Sequence, residues 1–315
     1  VASEVKLCES PEFRDLIIAA KEHLKHKYPG ITEQLIEKDY YVTEALRIVA
    51  AQCPTQVIFK GGTSLSKGWE LIERFSEDID LFLNKKEFHP HLSNKKVDVK
   101  LEEIECEVAR HPALEVVLSE RFRKKGKSRE CTLQYRAIYA GIAVIAPCIK
   151  LEMGTRSVSW PVEERELSSY VVQFLRAKGK TLHAKDESPF PMKLLHFKCT
   201  FVEKLFAIHS KVIQLQLQGK PIKTHARHYY DLYKLAQQSE VQNMLLEVEN
   251  YQAIKHDCHQ ISEEHFSKSY SRPNNLSFAN SPALFPEGDL RETLQKDYEA
   301  QCSKLCYRDP HYGRK

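Results

Sequence analysis

The most constraining feature of this sequence is a short β-branched and aromatic run, Val57-Ile58-Phe59, followed at once by Gly61-Gly62-Thr63-Ser64 and then by apolar positions at Leu65, Trp69, Leu71 and Ile72. The run reads as a strand, the glycines as a tight turn, and the three-and-four spacing as a helix. A strand that turns into a helix on glycine exposes backbone N–H groups where the helix dipole favours anions, and here two hydroxyls accompany them. Fifteen residues separate Gly62 from Asp78, where Asp78-Ile79-Asp80-Leu81-Phe82-Leu83 opens with alternating acid and apolar positions. Side chains alternate across a strand, so Asp78 and Asp80 face the same side. Two carboxylates so placed can hold a divalent cation, which bridges nucleotide phosphates and offsets the charge of an in-line displacement. An Asp-x-Asp alone is an ordinary surface strand; the glycine turn ahead of it gives the pair its chemistry.

The rest of the chain divides by pattern. Phe13, Leu16, Ile17, Ala20 and Leu24 recur at helical spacing before Pro29-Gly30. Thr32 then caps a second stripe through Leu35, Ile36, Tyr40, Val42, Ala45, Leu46, Val49 and Ala50, closed by Pro54, so the first 55 residues read as a helical pair. A polar, Lys- and Glu-rich helical section is expected to about Leu118, and strands over residues 131–139, 144–153 and 157–162. From Leu194 the pattern is helical, with one stripe at Phe201, Leu205, Ile208, Val212 and Leu215 and another at Tyr229, Tyr230, Leu232, Leu235 and Ala236. Residues 272–286 read as an irregular loop before a last helix near 290–302. The fold class is α+β, with one domain expected over residues 1–192 and a helical lobe over 193–315.

Of the 315 residues 42% are hydrophobic and 29% charged, which fits a chain with a real core and excludes a disordered or membrane-embedded one. The longest nearly apolar stretch, residues 137–149, carries Tyr139, Gly141 and Pro147 and falls short of the about 20 residues that span a bilayer. It reads as buried strand. No basic-then-apolar leader opens the sequence, which sets the expectation of a cytoplasmic setting. Nine scattered cysteines without a Cys-x-x-Cys read as reduced, buried thiols; Cys302 and Cys306, joined by His256, Cys258 and His259, come nearest to a metal site. The net charge of +4 says less than its clustering. Arg121, Arg123, Lys124, Lys125, Lys127 and Arg129 put six positive charges into nine residues around Gly126, a hairpin tip that either faces water or tracks phosphates.

Gly61-Gly62-Thr63-Ser64-Leu65 and Arg74-Phe75-Ser76-Glu77-Asp78-Ile79-Asp80-Leu81 together resemble the glycine-serine and aspartate motifs of the DNA polymerase beta nucleotidyltransferase superfamily. More narrowly, they are similar to those of the AbiEii/AbiGii toxin nucleotidyltransferases, which include the MenT toxins. Thr200-Phe201-Val202-Glu203-Lys204-Leu205 and His209 resemble that family's Glu-Lys helix, and Arg227-His228-Tyr229-Tyr230-Asp231-Leu232 its closing Arg-to-Asp motif. Upstream, Ile36-Glu37-Lys38-Asp39-Tyr40-Tyr41-Val42-Thr43 is similar to its N-terminal helix, so the resemblance spans about residues 32–236.

The resemblance implies a polymerase beta-like mixed sheet with N-terminal helices and a helical C-terminal lobe that completes the active site. It implies transfer of a nucleoside monophosphate from an NTP, dependent on Mg²⁺ or Mn²⁺. Asp78 and Asp80 are then the metal ligands, and Lys204 and Asp231 complete the catalytic set. Gly61, Gly62, Thr63, Ser64, Lys67 and Glu152 are the expected nucleotide-binding residues. The implied acceptor is a tRNA 3′ end, and the implied role that of a toxin, with a cognate antitoxin protein, in a toxin–antitoxin or phage-defence system. From the residues alone, Lys204 at the edge of an apolar stripe either snorkels to water or meets an anion, and Asp231 is an ordinary helix-surface acid. Glu152, in Leu151-Glu152-Met153, is either a third acid or an ion-pair partner of Lys150 or Arg156. Cys199 stands where the family is expected to carry an arginine, with Lys198 or Lys193 as substitutes. Two alternatives stay open: a nucleotidyltransferase acting on a protein or small molecule, and a catalytically silent nucleotide- or RNA-binding module.

Overall fold

The computed structural model describes residues 5–76, 78–139 and 145–308. The chain forms two compact units. The first comprises the chain as far as Gly68 together with Phe75–Thr155 and Val162–Leu194; the second comprises Trp69–Arg74, Arg156–Pro161 and the chain from Leu195.

The first unit opens with the expected helical pair, α1 (Phe13–Leu24) and α2 (Glu33–Gln52). Thr32 caps α2 by accepting the Leu35 N–H at 3.3 Å, which satisfies one of the donors that a helix start leaves open. There follow β1 (Val57–Lys60), α3 (Gly61–Lys67), β2 (Asp78–Leu83), α4 (Asn94–Ala109), β3 (Glu115–Val116), β4 (Phe122–Lys124), β5 (Ser128–Gln134), β6 (Cys148–Gly154), β7 (Val162–Leu167), α5 (Tyr170–Ala177) and β8 (Phe190–Leu195). Among the described residues eight strands form one mixed sheet in the order β3-β5-β6-β2-β1-β8-β7, with β4 added to β5. β2 runs antiparallel to β1 and parallel to β6, and β5 runs antiparallel to β6. Ile79, Leu81, Cys131, Leu133, Ile149, Leu151 and Met153 alternate inward along β2, β5 and β6 and are buried, with α2 and α4 packed nearby. The opposite face of the same three strands carries Asp78 and Asp80 of β2, Glu130 of β5, and Lys150 and Glu152 of β6, with Phe82 buried at the far end of β2.

The second unit is helical: α6 (Phe197–Gln218), α7 (Arg227–Ala236), α8 (Ser239–Leu246), α9 (Val248–Phe266) and α10 (Gly288–Leu305). Two short pieces of earlier chain pack with it. The Trp69 indole donates to the Leu195 carbonyl at 3.1 Å and lies against the rings of His196 and Phe197. The Glu73 N–H donates to the Tyr230 hydroxyl at 3.1 Å, and Arg74 makes an antiparallel bridge with Cys306.

The α+β class, the mixed sheet, the helices ahead of it and the helical C-terminal region are as expected. Several local expectations are not. The helix foreseen through Ile72 stops at Lys67, because Trp69 and Ile72 are apolar for burial beyond the helix and not for a helical stripe. The strand expected over residues 131–139 runs instead from Ser128 to Gln134, and α4 ends at Ala109 rather than near Leu118. The strand foreseen at 157–162 begins only at Val162, and α5 and β8 were not foreseen. In β8 the buried residues Phe190, Met192 and Leu194 alternate, a two-residue period that ends where the helical period begins. Residues 140–144, within the apolar stretch and at the start of the expected 144–153 strand, lie outside the described residues; β6 starts at Cys148.

Candidate active site

On β2, Asp78 and Asp80 are half-buried and share the polar face, separated by the buried Ile79. Register brings further polar residues beside them: Asp80 lies between Lys60 of β1 and Glu152 of β6, and Glu152 is opposite Glu130 of β5. Directly paired residues project to the same side of a sheet, so Asp80, Glu152 and Glu130 form one row, with Asp78 and Lys150 in the next. The Lys150 ammonium donates to the Glu152 carboxylate and lies 3.8 Å from Glu130. Burial pulls the Lys150 pKa down, but the bond to Glu152 and the fields of Asp78 and Glu130 outweigh it and leave it raised. This face therefore attracts a cation.

The glycine turn stands against this face. Gly61 has φ +76°, a conformation that L side chains rarely adopt, and a Cβ built there would lie 2.0 Å from Asp80 Oδ2. Gly61 is required by backbone angle and by space together. The turn's hydroxyls bond to nearby backbone: Thr63 Oγ1 donates to the Asp78 carbonyl at 2.5 Å and Ser64 Oγ to the Gly61 carbonyl at 3.0 Å. Lys67 turns inward, donating to Asp39 at 2.7 Å and to the Ser168 carbonyl at 3.0 Å. Asp39 in turn accepts the Tyr170 N–H at 2.8 Å. These residues brace the turn from behind.

In the second unit Asp231 of α7 is fully buried. Arg74 grips it through two bonds, Nε to Oδ1 and Nη2 to Oδ2, each 2.7 Å, and Lys204 of α6 pairs with Oδ2, also at 2.7 Å. Burial alone would raise the carboxyl pKa, but Arg74 and Lys204 hold it well below the usual range. Burial lowers the Lys204 pKa, against the pull of Asp231. Lys204 Nζ lies 3.2 Å from His228 Nδ1, whose ring meets His225 at 3.3 Å. Two cations share one carboxylate, so the cluster carries a net charge of +1 in a dry setting. Such a cluster suits an anion.

The basic run is divided. Arg121 pairs with Glu105 at 2.6 Å and Arg123 with Asp98 at 3.0 Å, and Arg129 pairs with Glu105 and with Glu102, all three acids lying on α4. Gly126, at φ +67°, donates its N–H to Asp98 at 2.8 Å. Among the described residues Lys124, Lys125 and Lys127 make no ion pair. Cys199 is buried, its thiol 3.4 Å from the Trp160 carbonyl, and the Lys193 ammonium donates to the Thr55 carbonyl at 3.3 Å.

The family described as "Nucleotidyl transferase AbiEii toxin, Type IV TA system" matches residues 45–312, most of the chain. The chain belongs to the AbiEii family of nucleotidyltransferase toxins. No curated protein is detectably similar to it. An AbiEii-family nucleotidyltransferase takes a nucleotide substrate and, as the toxin of a type IV system, has a cognate antitoxin. No helix of the described residues is long and apolar enough to cross a membrane.

The divalent ion that AbiEii membership implies can be tested against the residues present. Among the described residues no three His, Cys, Asp or Glu side chains converge as a metal site, the Cys302 and His259 neighbourhood included. A pair of hard carboxylates on one strand, backed by a glycine that leaves space at Asp80, nevertheless suits Mg²⁺ or Mn²⁺. Such ions are commonly held by one or two carboxylates, with substrate phosphates and water completing the shell. Three residues that contact or pair with the expected site residues carry no role in the sequence pattern. Arg74 and His228 lie inside quoted motifs, but an arginine four residues before a strand and a histidine ahead of two tyrosines have no local signature. Glu130 is marked only by its register with Glu152.

Proposed function

We propose that this AbiEii-family chain transfers a nucleoside monophosphate from an NTP to an RNA 3′ end, tRNA being the acceptor that the resemblance implies, with Asp78 and Asp80 as ligands of Mg²⁺ or Mn²⁺. The reading is carried by one observation: the Asp-x-Asp carboxylates lie beside a left-handed glycine whose missing Cβ is what leaves Asp80 its space. A bound divalent ion supplies neutralisation of phosphate charge at that face. The chain's own groups do the rest. Gly61 and Gly62 let backbone come close to the phosphates. The acceptor hydroxyl attacks the α-phosphorus and releases its proton to solvent, the bond to the β-phosphate oxygen breaks, and pyrophosphate leaves. Lys204 presents its ammonium to the triphosphate and offsets the charge that grows on the leaving group. Asp231, held ionised by Arg74 and Lys204, acts as a positioning residue that fixes the ammonium and takes no proton. Glu152, in register with Asp80, is a third acid of the face, and Thr63, Ser64 and Lys67 support the nucleotide site from behind.

The proposed setting is the cytoplasm. An RNA acceptor is supported by the unpaired lysines of the hairpin tip, whereas a protein or small-molecule acceptor is favoured by the pairing of Arg121, Arg123 and Arg129 with α4. Incubation with each α-labelled NTP, Mg²⁺, total RNA and total protein, followed by separation of the two polymers, decides between them. Label in the RNA supports the first reading, label in protein the second, and no transfer with any NTP contradicts both.

A further inference from the structure

Behind Lys204 stand two histidines that the proposed chemistry does not use. His228 is in the first turn of α7 and His225 in the short helical turn just before it. A lysine ammonium only donates, so His228 Nδ1, 3.2 Å from Lys204 Nζ, must be a bare acceptor with the ring proton on Nε2. That Nε2–H faces His225 Nδ1 at 3.3 Å, which must then accept. The lysine thus sets one tautomer, and the second ring complements it.

We propose that His228 is the positioning residue for Lys204, a neutral acceptor that aims the ammonium without cancelling its charge, and that His225 fixes the tautomer in which His228 can do so. This rests on the reading of Lys204 as the group that meets the triphosphate. The ammonium has three N–H bonds. Asp231 takes one and His228 takes another, and among the described residues the third has no partner, although the side chain is only 8% exposed. Two fixed donors dictate the direction of the third. A carboxylate in place of His228 would hold the lysine as firmly but would bring the cluster from +1 to neutral, removing its attraction for an anion. A neutral imidazole does one without the other.

The acceptor must stay unprotonated to serve. The groups that face His228 are Lys204, Asp231 and His225, and those that face His225 are His228, Lys211, Arg227 and Lys204. Burial, then the charge of Lys204, lowers His228 to about 3, against the opposing pull of Asp231. Burial, with Lys211, Arg227 and Lys204, lowers His225 to about 4. Both rings are therefore neutral near pH 7.

The test compares His228→Asn, His228→Asp and His228→Leu with wild type and Lys204→Met. Single-turnover transfer from the four α-labelled NTPs and binding of inorganic triphosphate are read, with thermal melting as the check on folding. Asn keeps a neutral acceptor near Nδ1 and should preserve both transfer and binding. Asp, of almost the same shape, should weaken triphosphate binding by about tenfold, the scale of a lost charge complement. Leu removes the acceptor from a buried charged donor and should slow transfer by about 10- to 100-fold. Equal triphosphate binding by the Asn and Asp variants overturns the inference, and so does wild-type transfer by a folded Leu variant. If the Leu variant does not fold, the Asn and Asp pair still decides. Full transfer by Lys204→Met would instead remove the reading on which the inference stands. An inactive Lys204→Met beside wild-type behaviour at position 228 would remove the inference alone.

Discussion

Gly61 and Asp231 show how much of the proposed chemistry rests on single positions. A methyl group at Gly61 would have to occupy space 2.0 Å from Asp80 Oδ2 while the backbone stays at φ +76°. Gly61→Ala should therefore cost about 1–3 kcal/mol of stability through backbone strain and about 100-fold in transfer through the displaced carboxylate. Urea unfolding and single-turnover label transfer check both figures. The buried cluster predicts an asymmetry. Asp231→Asn leaves Arg74 and Lys204 facing each other without an anion and should destabilise the protein by about 3–5 kcal/mol, the scale for breaking a buried pair. Lys204→Met leaves the neutral, two-bonded Arg74–Asp231 pair in place. It should abolish transfer with little loss of stability, or a gain. Equal destabilisation by the two substitutions would contradict the net charge assigned to the cluster.

At the scale of elements, the β4–β5 hairpin illustrates what a charge run hides. Half of its cations are tied to Asp98, Glu102 and Glu105 on α4, so only Lys124, Lys125 and Lys127 are candidates for an RNA backbone. Replacing these three with Ala should flatten the salt dependence of RNA binding by about two units in the logarithmic slope, at about 0.7 per phosphate contact on a single strand. The arginines should behave differently. Arg129→Ala leaves the buried Glu105 with fewer partners and should show chiefly as lost stability; a changed salt slope in that variant would reverse the assignment. The sequence could not show this division, because the pairs join residues 16 to 27 positions apart. The same distinction runs through the fold. The strand, glycine turn and Asp-x-Asp were legible because each is a local pattern with its own periodicity or backbone demand. β8 was not, because its alternation is short and abuts a helix, and Trp69–Arg74 imitates a helical stripe while Trp69 and Ile72 are buried with the second unit, to which the segment belongs. Lys204 and Asp231 were legible only through motif order. Their partner Arg74 was not, since a salt bridge over 157 positions leaves no trace in spacing.

At the scale of the whole molecule, both units are poised to lose stability in mild acid. Burial, with the positive charge of Lys6, lowers His111 of the first unit to about 4; in the second unit His225 stands at about 4 and His228 at about 3. An unfolded histidine takes its proton near pH 6.5. Below that value the unfolded chain binds protons that the native chain refuses, so stability is full above about pH 6.5 and falls as the pH drops toward 4, by up to about 1.4 kcal/mol per ring per pH unit. Asp231 adds a further loss below about pH 4, as its depressed carboxyl is forced to protonate. Urea midpoints should hold between about pH 7.5 and 6.5 and decline from there to about 4.5, and a profile flat throughout would contradict the burial of these rings as neutral groups. The central proposal is that transfer requires both the sheet-borne acids and the buried lysine. Its most direct measurement is single-turnover transfer of α-labelled NMP by wild type, Asp80→Asn and Lys204→Met, each shown by circular dichroism to be folded. The account predicts transfer by wild type and a loss of several orders of magnitude in each variant. Undiminished transfer by the folded Asp80→Asn protein would contradict it.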